Sequence, residues 1–157
     1  MELFIMCGPP GTGKSTWVKN FIESAENQVK VVSRDEIRFA KLQESEDYFN
    51  KENEVFDDFI KQLNDALHDN QYDAVVADAT HLTQRSRNKV LDQLDLENVE
   101  IIPVVMLTSM TTALARNEKR TGRARVPVSV IKRMFYQFEI PNDNEKYSYA
   151  SILEVDG

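Results

Sequence analysis

Gly8-Pro9-Pro10-Gly11-Thr12-Gly13-Lys14-Ser15 carries the spacing G-x-x-x-x-G-K-S. Glycines at these positions let the backbone curl so that successive N–H groups face one concavity, and a helix starting behind them adds the positive end of its dipole. Lys14 can reach β- and γ-phosphates and Ser15 can ligate magnesium. The chemistry implied is the gripping of a nucleoside triphosphate, ATP with Mg2+. Gly8, Gly11, Thr12, Gly13, Lys14, Ser15 and Thr16 are the candidate binding residues, and Ser15 the candidate metal ligand.

Three further groups could act on what this loop holds. Ser33-Arg34-Asp35-Glu36-Ile37-Arg38 pairs Ser33 with Glu36 as a capping box, so a helix is expected to start there with Asp35 and Arg38 one turn apart on one face. Two readings stay open: Asp35 complements the helix dipole and pairs with Arg38, or Asp35 is the base for an attacking hydroxyl while Arg38 holds an anionic part of the acceptor. Val75-Val76-Ala77-Asp78 puts a carboxylate at a strand's carboxyl end, where it would lie near magnesium and the reacting hydroxyl, or would simply cap a turn. Arg116 and Arg120, four apart, are expected on one helix face leading into the basic connection Thr121 to Pro127. Gly122 could end that helix and Pro127 open the next. An arginine brought in by a mobile segment stabilises charge on a transferring phosphoryl group, so a lid over about 112–127 is expected in preference to a passive basic surface.

These groups need a frame. Apolar runs at Leu3–Cys7, Val29–Ser33, Ala74–Asp78 and Glu100–Leu107, with a weaker one at Ile152–Val155, read as strands. Helical faces are marked by Val18, Phe21, Ile22 and Ala25, by Phe49, Phe56, Phe59, Ile60, Leu63 and Leu67, by Val90, Leu91 and Leu94, and by Val128, Ile131, Phe135 and Phe138. Strands alternating with helices predict right-handed βαβ crossovers, so the expected fold is α/β, three-layered, with a mostly parallel sheet and ligands beyond the carboxyl ends of its strands. A chain of 157 residues fits one domain, 1–157.

Charge and composition narrow the function classes. A net charge of −7 argues against a protein that coats duplex nucleic acid, because such affinity comes from Lys and Arg neutralising phosphates. The acids Glu44, Glu46, Asp47, Glu52, Glu54, Asp57 and Asp58 are expected on the wet side of a long helix. The bases Arg116, Lys119, Arg120, Arg123, Arg125, Lys132 and Arg133 gather where an anionic substrate would be drawn. The start Met1-Glu2-Leu3-Phe4 lacks the basic flank of a secretory signal and no apolar run reaches membrane-span length. With a single cysteine, Cys7, in an apolar run, a cytoplasmic protein with a buried thiol and no membrane partner is expected. His68 and His81 lack partners at metal-ligand spacing and read as surface or capping residues, His81 the nearer to the cleft. Trp17 and the phenylalanines read as packing residues.

The motifs together resemble the kinase half of the phage-type polynucleotide 5′-hydroxyl kinases, and more broadly the small P-loop kinases, over nearly the whole chain. Gly8 to Trp17 looks like the phosphate loop of that family, and Arg34-Asp35-Glu36-Ile37-Arg38 like its Arg-Asp-Asp/Glu-x-x-Arg element. Asp78-Ala79-Thr80 looks like its Asp-Thr-Asn segment, with Ala79-Thr80 in place of Thr-Asn. Arg116 to Arg120 followed by Val126-Pro127 is similar to its lid helix and the start of the next. The resemblance implies a P-loop NTPase fold with a helical lid; as a departure from that family, the kinase domain is expected without a phosphatase domain. It implies Lys14 and Ser15 on ATP and magnesium, Arg116 along the nucleotide, Asp35 as general base, and Arg120 supporting the transition state. It also implies acceptor contacts from Arg38, Asp78 and Thr80. The acceptor so implied is a single-stranded nucleic acid end or a nucleotide, phosphorylated at its 5′-hydroxyl by direct in-line transfer. A kinase for a small molecule such as an antibiotic, nucleoside or sugar conjugate is the alternative, and a switch module with slow ATP hydrolysis a third reading.

Overall fold

The computed structural model describes every residue of the chain except Glu44. Five strands alternate with six helices: β1 (Glu2–Cys7), α1 (Lys14–Ser24), β2 (Val29–Ser33), α2 (Arg34–Lys41), α3 (Glu52–Leu67), β3 (Ala74–Asp78), α4 (Gln84–Leu91), β4 (Glu100–Met106), α5 (Met110–Glu118), α6 (Val128–Gln137) and β5 (Leu153–Val155). The sheet is parallel throughout, in the order β2-β3-β1-β4-β5. This is the P-loop NTPase-like α/β architecture, with helices on both faces. Among the described residues no helix is long and apolar enough to cross a membrane.

The central strand shows why the sheet must be covered twice. Side chains of a strand alternate between faces, so Leu3, Ile5 and Cys7 pack with Val55, Phe59 and Leu63 of α3 and with Val90 and Leu91 of α4. Phe4 and Met6 point the other way, toward Val18, Trp17 and Phe21 of α1. Phe4, Trp17 and Phe21 form an aromatic contact, the last two stacked with centroids 5.0 Å apart.

Several helical expectations are corrected. Ile22 is exposed and Ala25 lies one residue past the end of α1, because Trp17, Val18 and Phe21 already cover that face of the sheet. Phe49 lies before α3 and is exposed, Leu94 is buried beyond α4, and Val128 is exposed at the start of α6. The acidic stretch is not one solvated helix face. Glu46 and Asp47 precede α3, and Glu52 turns inward onto Arg34 and Arg38; Glu44 lies outside the described residues.

Register brings the chemistry together. Ser33, the last residue of β2, pairs with Asp78, the last of β3, and β3 neighbours β1, whose end opens into the glycine-rich loop. The carboxyl ends of β2, β3 and β1 therefore feed one edge, where β1 is flanked by β3 on one side and β4 on the other. Open α/β sheets form their ligand crevice in this position.

Candidate active site

The loop between β1 and α1 is held from both sides. Gly8 donates its N–H to the Thr80 carbonyl oxygen at 2.9 Å, and the Thr12 hydroxyl donates to the Pro9 carbonyl at 2.7 Å. Thr108, just after β4, donates its hydroxyl to the Thr12 carbonyl at 2.7 Å. Gly11 has φ of 79°, and a Cβ there would meet the Ala113 carbonyl oxygen of α5 at 2.7 Å, so only glycine fits.

The N-terminus of α1 is built to accept an anion. Side chains of Ser33, Thr83 and Ser109 cap α2, α4 and α5, whereas Gly13 precedes α1 with no side-chain cap. Among the described residues, the N–H groups of Gly11 to Thr16 have no protein acceptor. Unpaired amides at a helix N-terminus are what a phosphate chain satisfies. Lys14 lies at the same mouth, its Nζ donating to the Gly8 and Pro9 carbonyl oxygens at 2.7 and 2.8 Å. Burial pushes its ammonium down to about 8, with Asp78 and Asp35 pulling in the other direction. Ser15 is exposed on the first turn of α1. Among the described residues there is no cluster of three or more His, Cys, Asp or Glu side chains able to hold a metal. The exposed Ser15 hydroxyl beside the unpaired amides is a donor that suits magnesium, which binds one or two protein oxygens and substrate phosphates and keeps several waters.

Across the cleft, the Ser33 hydroxyl accepts from the Glu36 N–H at 3.2 Å and starts α2, one half of the expected capping box. Asp35 and Arg38 share the face that the spacing required, and Arg38 Nη1 bonds Asp35 Oδ1. Arg38 is 5% exposed and also donates through Nε to Glu52 at 2.7 Å, so its guanidinium is fixed in place. Burial lowers the arginine most strongly of any single cause, but Glu52, Tyr48 and Asp35 together outweigh it and raise the group above its ordinary range. Tyr48 donates to Asp35 Oδ1 at 2.6 Å. Burial, reinforced by Asp35 and Glu36, raises the Asp78 carboxyl, and Lys14 opposes the rise.

From the opposite wall, Arg116 donates to the Gly11 carbonyl at 3.2 Å. Arg120 is not on the α5 face that carries Arg116. The helix ends at Glu118 and the Arg120 N–H turns back onto the Asn117 carbonyl. Gly122 opens a single 3₁₀ turn, Gly122–Ala124, rather than ending α5. Asn117 ties the connection down instead, exchanging two hydrogen bonds with the Val126 backbone. Lys14, Ser15, Thr16, Asp35, Arg38, Asp78, Thr80, Arg116 and Arg120 all line one cleft of about 1020 Å³.

His81 is not at the surface. It is 4% exposed, with φ of 41°, and its Nδ1 lies 2.6 Å from the Met6 carbonyl. His68 does cap α3 and pairs with Asp95. Sequence reasoning missed Tyr48, Glu52 and Thr108. Only Thr108 had a readable signal, a hydroxyl just past the carboxyl end of a strand in a sheet of this kind.

A family model described as an AAA domain matches residues 3–141. The chain belongs to this family of P-loop kinases. Among solved structures, this P-loop kinase is similar to a chain of the Pnkp1/Rnl/Hen1 RNA repair complex, at 27% identity and a TM-score of 0.73 over 87% of its own length. It spans 43% of that RNA-repair chain. A fungal RNA kinase is 15% identical with a TM-score of 0.69, covering 99% of this chain and 73% of its own. A sugar kinase from Janibacter sp. HTCC2649 is 15% identical with a TM-score of 0.67, covering 99% and 84%. The latter two likenesses concern the fold alone.

Proposed function

We propose that the chain transfers the γ-phosphoryl group of ATP to a 5′-hydroxyl of a polynucleotide or nucleotide. The observation that carries this is the carboxylate of Asp35, 60% exposed, in the same cleft as Lys14 and the unpaired amides of the phosphate loop. The likeness to a chain of an RNA repair complex favours a nucleic acid acceptor. The whole chain 1–157 would act as one kinase domain, with 112–127 as its lid.

In this scheme the amides of Gly11 to Thr16 and the Lys14 ammonium hold the β- and γ-phosphates, with Arg116 along the nucleotide. Asp35 takes the proton of the acceptor hydroxyl as its oxygen bonds to the γ-phosphorus, and the bond from that phosphorus to the bridging oxygen breaks to release ADP. Lys14 and Arg120 offset the charge on the transferring group. Arg38 has Nε and Nη1 engaged and, among the described residues, no partner on Nη2, which would serve an acceptor phosphate, and Asp78 and Thr80, which line the same cleft, would border the acceptor. Magnesium, held by Ser15 and phosphate oxygens, would neutralise the developing charge.

The test is transfer from γ-labelled ATP to 5′-hydroxyl DNA and RNA oligonucleotides, beside nucleosides, 3′-nucleotides and sugars. Label on the oligonucleotide 5′ end or the 3′-nucleotide is expected. Label confined to sugars or other small molecules would make the chain a small-molecule kinase, and hydrolysis with no labelled acceptor would make it a nucleotide switch. Asp35→Asn should keep ATP binding while losing roughly 10² to 10⁴ in turnover.

A further inference from the structure

Tyr48 sits in the segment joining α2 to α3, outside every motif of the phosphate loop, the Asp35 helix and the lid. We propose that Tyr48 is a positioning residue for Asp35, fixing one carboxylate oxygen so that the other faces the acceptor hydroxyl. This rests on Asp35 being the proton acceptor.

Three side chains close a ring of hydrogen bonds. Arg38 Nη1 donates to the Tyr48 hydroxyl at 2.8 Å, the Tyr48 hydroxyl donates to Asp35 Oδ1 at 2.6 Å, and Arg38 Nη1 bonds the same Oδ1. The directions agree around the ring, because the phenol oxygen accepts from the guanidinium while its proton goes to the carboxylate. Burial raises the Tyr48 phenol above the ordinary tyrosine range, and the neighbouring Asp35 adds to the rise. The hydroxyl therefore stays a donor at any working pH.

The consequence is orientation. The terminal torsion of an aspartate is broad and nearly two-fold, so an exposed carboxylate readily exchanges its two oxygens. Here Oδ1 has two donors, and among the described residues Oδ2 has none. Arg38 alone is an incomplete clamp, since its Nη1 is shared between Asp35 Oδ1 and the Tyr48 hydroxyl. Tyr48 is itself braced. Its ring lies 4.2 Å from the Arg38 guanidinium, and Phe39 and Phe49 pack against it edge-on at 6.0 and 4.7 Å. The bracing belongs to the ring and the orientation to the hydroxyl, so Tyr48→Phe separates the two.

Tyr48→Phe is expected to lower kcat about 10- to 100-fold with KM for ATP unchanged, because a misaligned base costs rate and not nucleotide binding. In an Asp35→Asn background the same change should do nothing further, since the partner through which it acts is gone. Wild-type turnover in Tyr48→Phe, or an equal loss with and without the Asp35 carboxylate, overturns the inference while leaving Asp35 as base. Full turnover in Asp35→Asn alone removes the base assignment, and the inference falls with it. A measurement independent of transfer reads the contact directly. By NMR the Tyr48 ring resonances should shift between wild type and Asp35→Asn, and superimposable Tyr48 signals would show that the two groups do not meet.

Discussion

Arg87 and Glu145 form a two-bond ion pair closed to solvent, with Nε to Oε1 at 3.1 Å, Nη2 to Oε2 at 3.0 Å, and side-chain exposures of 0% and 1%. The pair fastens the segment after α6 to α4, and Arg87 Nη1 reaches on to the His81 carbonyl at 2.9 Å. Burial alone would raise the Glu145 carboxyl, but bonds from Arg87, Tyr149 and the Asn142 N–H hold it below the usual range. Truncating one partner leaves a buried charge without its counter-ion. Glu145→Ala is therefore expected to destabilise the fold by about 3–5 kcal/mol, read as a lower urea midpoint at constant slope. A loss under about 1 kcal/mol would mean that water reaches Arg87 and the pair does little for the fold.

Arg120 follows α5 and lines the cleft on the side of Lys14. In the proposed scheme its charge would meet the transferring group more than the nucleotide, which Arg116 would border from its contact with the Gly11 carbonyl. Arg120→Ala should cost roughly 10² to 10³ in kcat with little change in ATP affinity. Steady-state kinetics beside calorimetric ATP titration separate the two. A change confined to affinity would remove Arg120 from the phosphoryl-transfer step.

How much of this was readable beforehand depends on the range of each interaction. Ala74–Asp78 was found to the residue because an inner parallel strand is a near-continuous apolar run bounded by polar turns, and Val29–Ser33, the edge strand with Lys30 exposed, because β-branched valines favour a pleated, half-buried surface. The phosphate loop was readable because its geometry is local. Glu52 was not, since its partners Arg34 and Arg38 lie 18 and 14 residues earlier and nothing in a run of acids says which one turns inward. Tyr48 was hidden for the same reason, 13 residues from the carboxylate it touches. Phe49 and Ile22 misled because apolar spacing records which residues could face a core and not whether the core still has room.

Lys14 gives the cleft a pH dependence with two opposite signs. Its ammonium is pushed down to about 8 by burial, against an ordinary 10.5, and the neutral amine cannot pair with phosphate. In the free enzyme kcat/KM for ATP should fall as pH rises through about 8. Stability runs the other way. Between about 8 and 10.5 the unfolded chain keeps a proton that the native lysine has released, so this group's contribution to stability rises with pH across that window. ATP titration and thermal unfolding at pH 7 and pH 9 test both signs. In Lys14→Met this contribution should vanish from each.

His81 sets the acid side. Its Nδ1 must carry a hydrogen to bond the Met6 carbonyl, so an added proton would have to enter at Nε2, which is buried with no partner. Burial pushes the imidazole down to about 4, and the charges of Arg34, Arg87 and Lys14 disfavour the cation further, against the pull of the Met6 carbonyl. An unfolded histidine titrates near 6.5, so the stability this group provides is complete above that value and is lost as pH falls toward 4. The loss should reach about 2–3 kcal/mol near pH 4.5. It should be felt in the cleft as well, because Thr80, the residue before His81, accepts the Gly8 N–H that starts the phosphate loop. Urea midpoints at pH 7 and pH 4.5 are to be compared between wild type and His81→Asn, which removes the titration and tolerates the left-handed backbone at this position. The wild type should lose more on acidification than the variant, and parallel losses would show that His81 takes up its proton without cost.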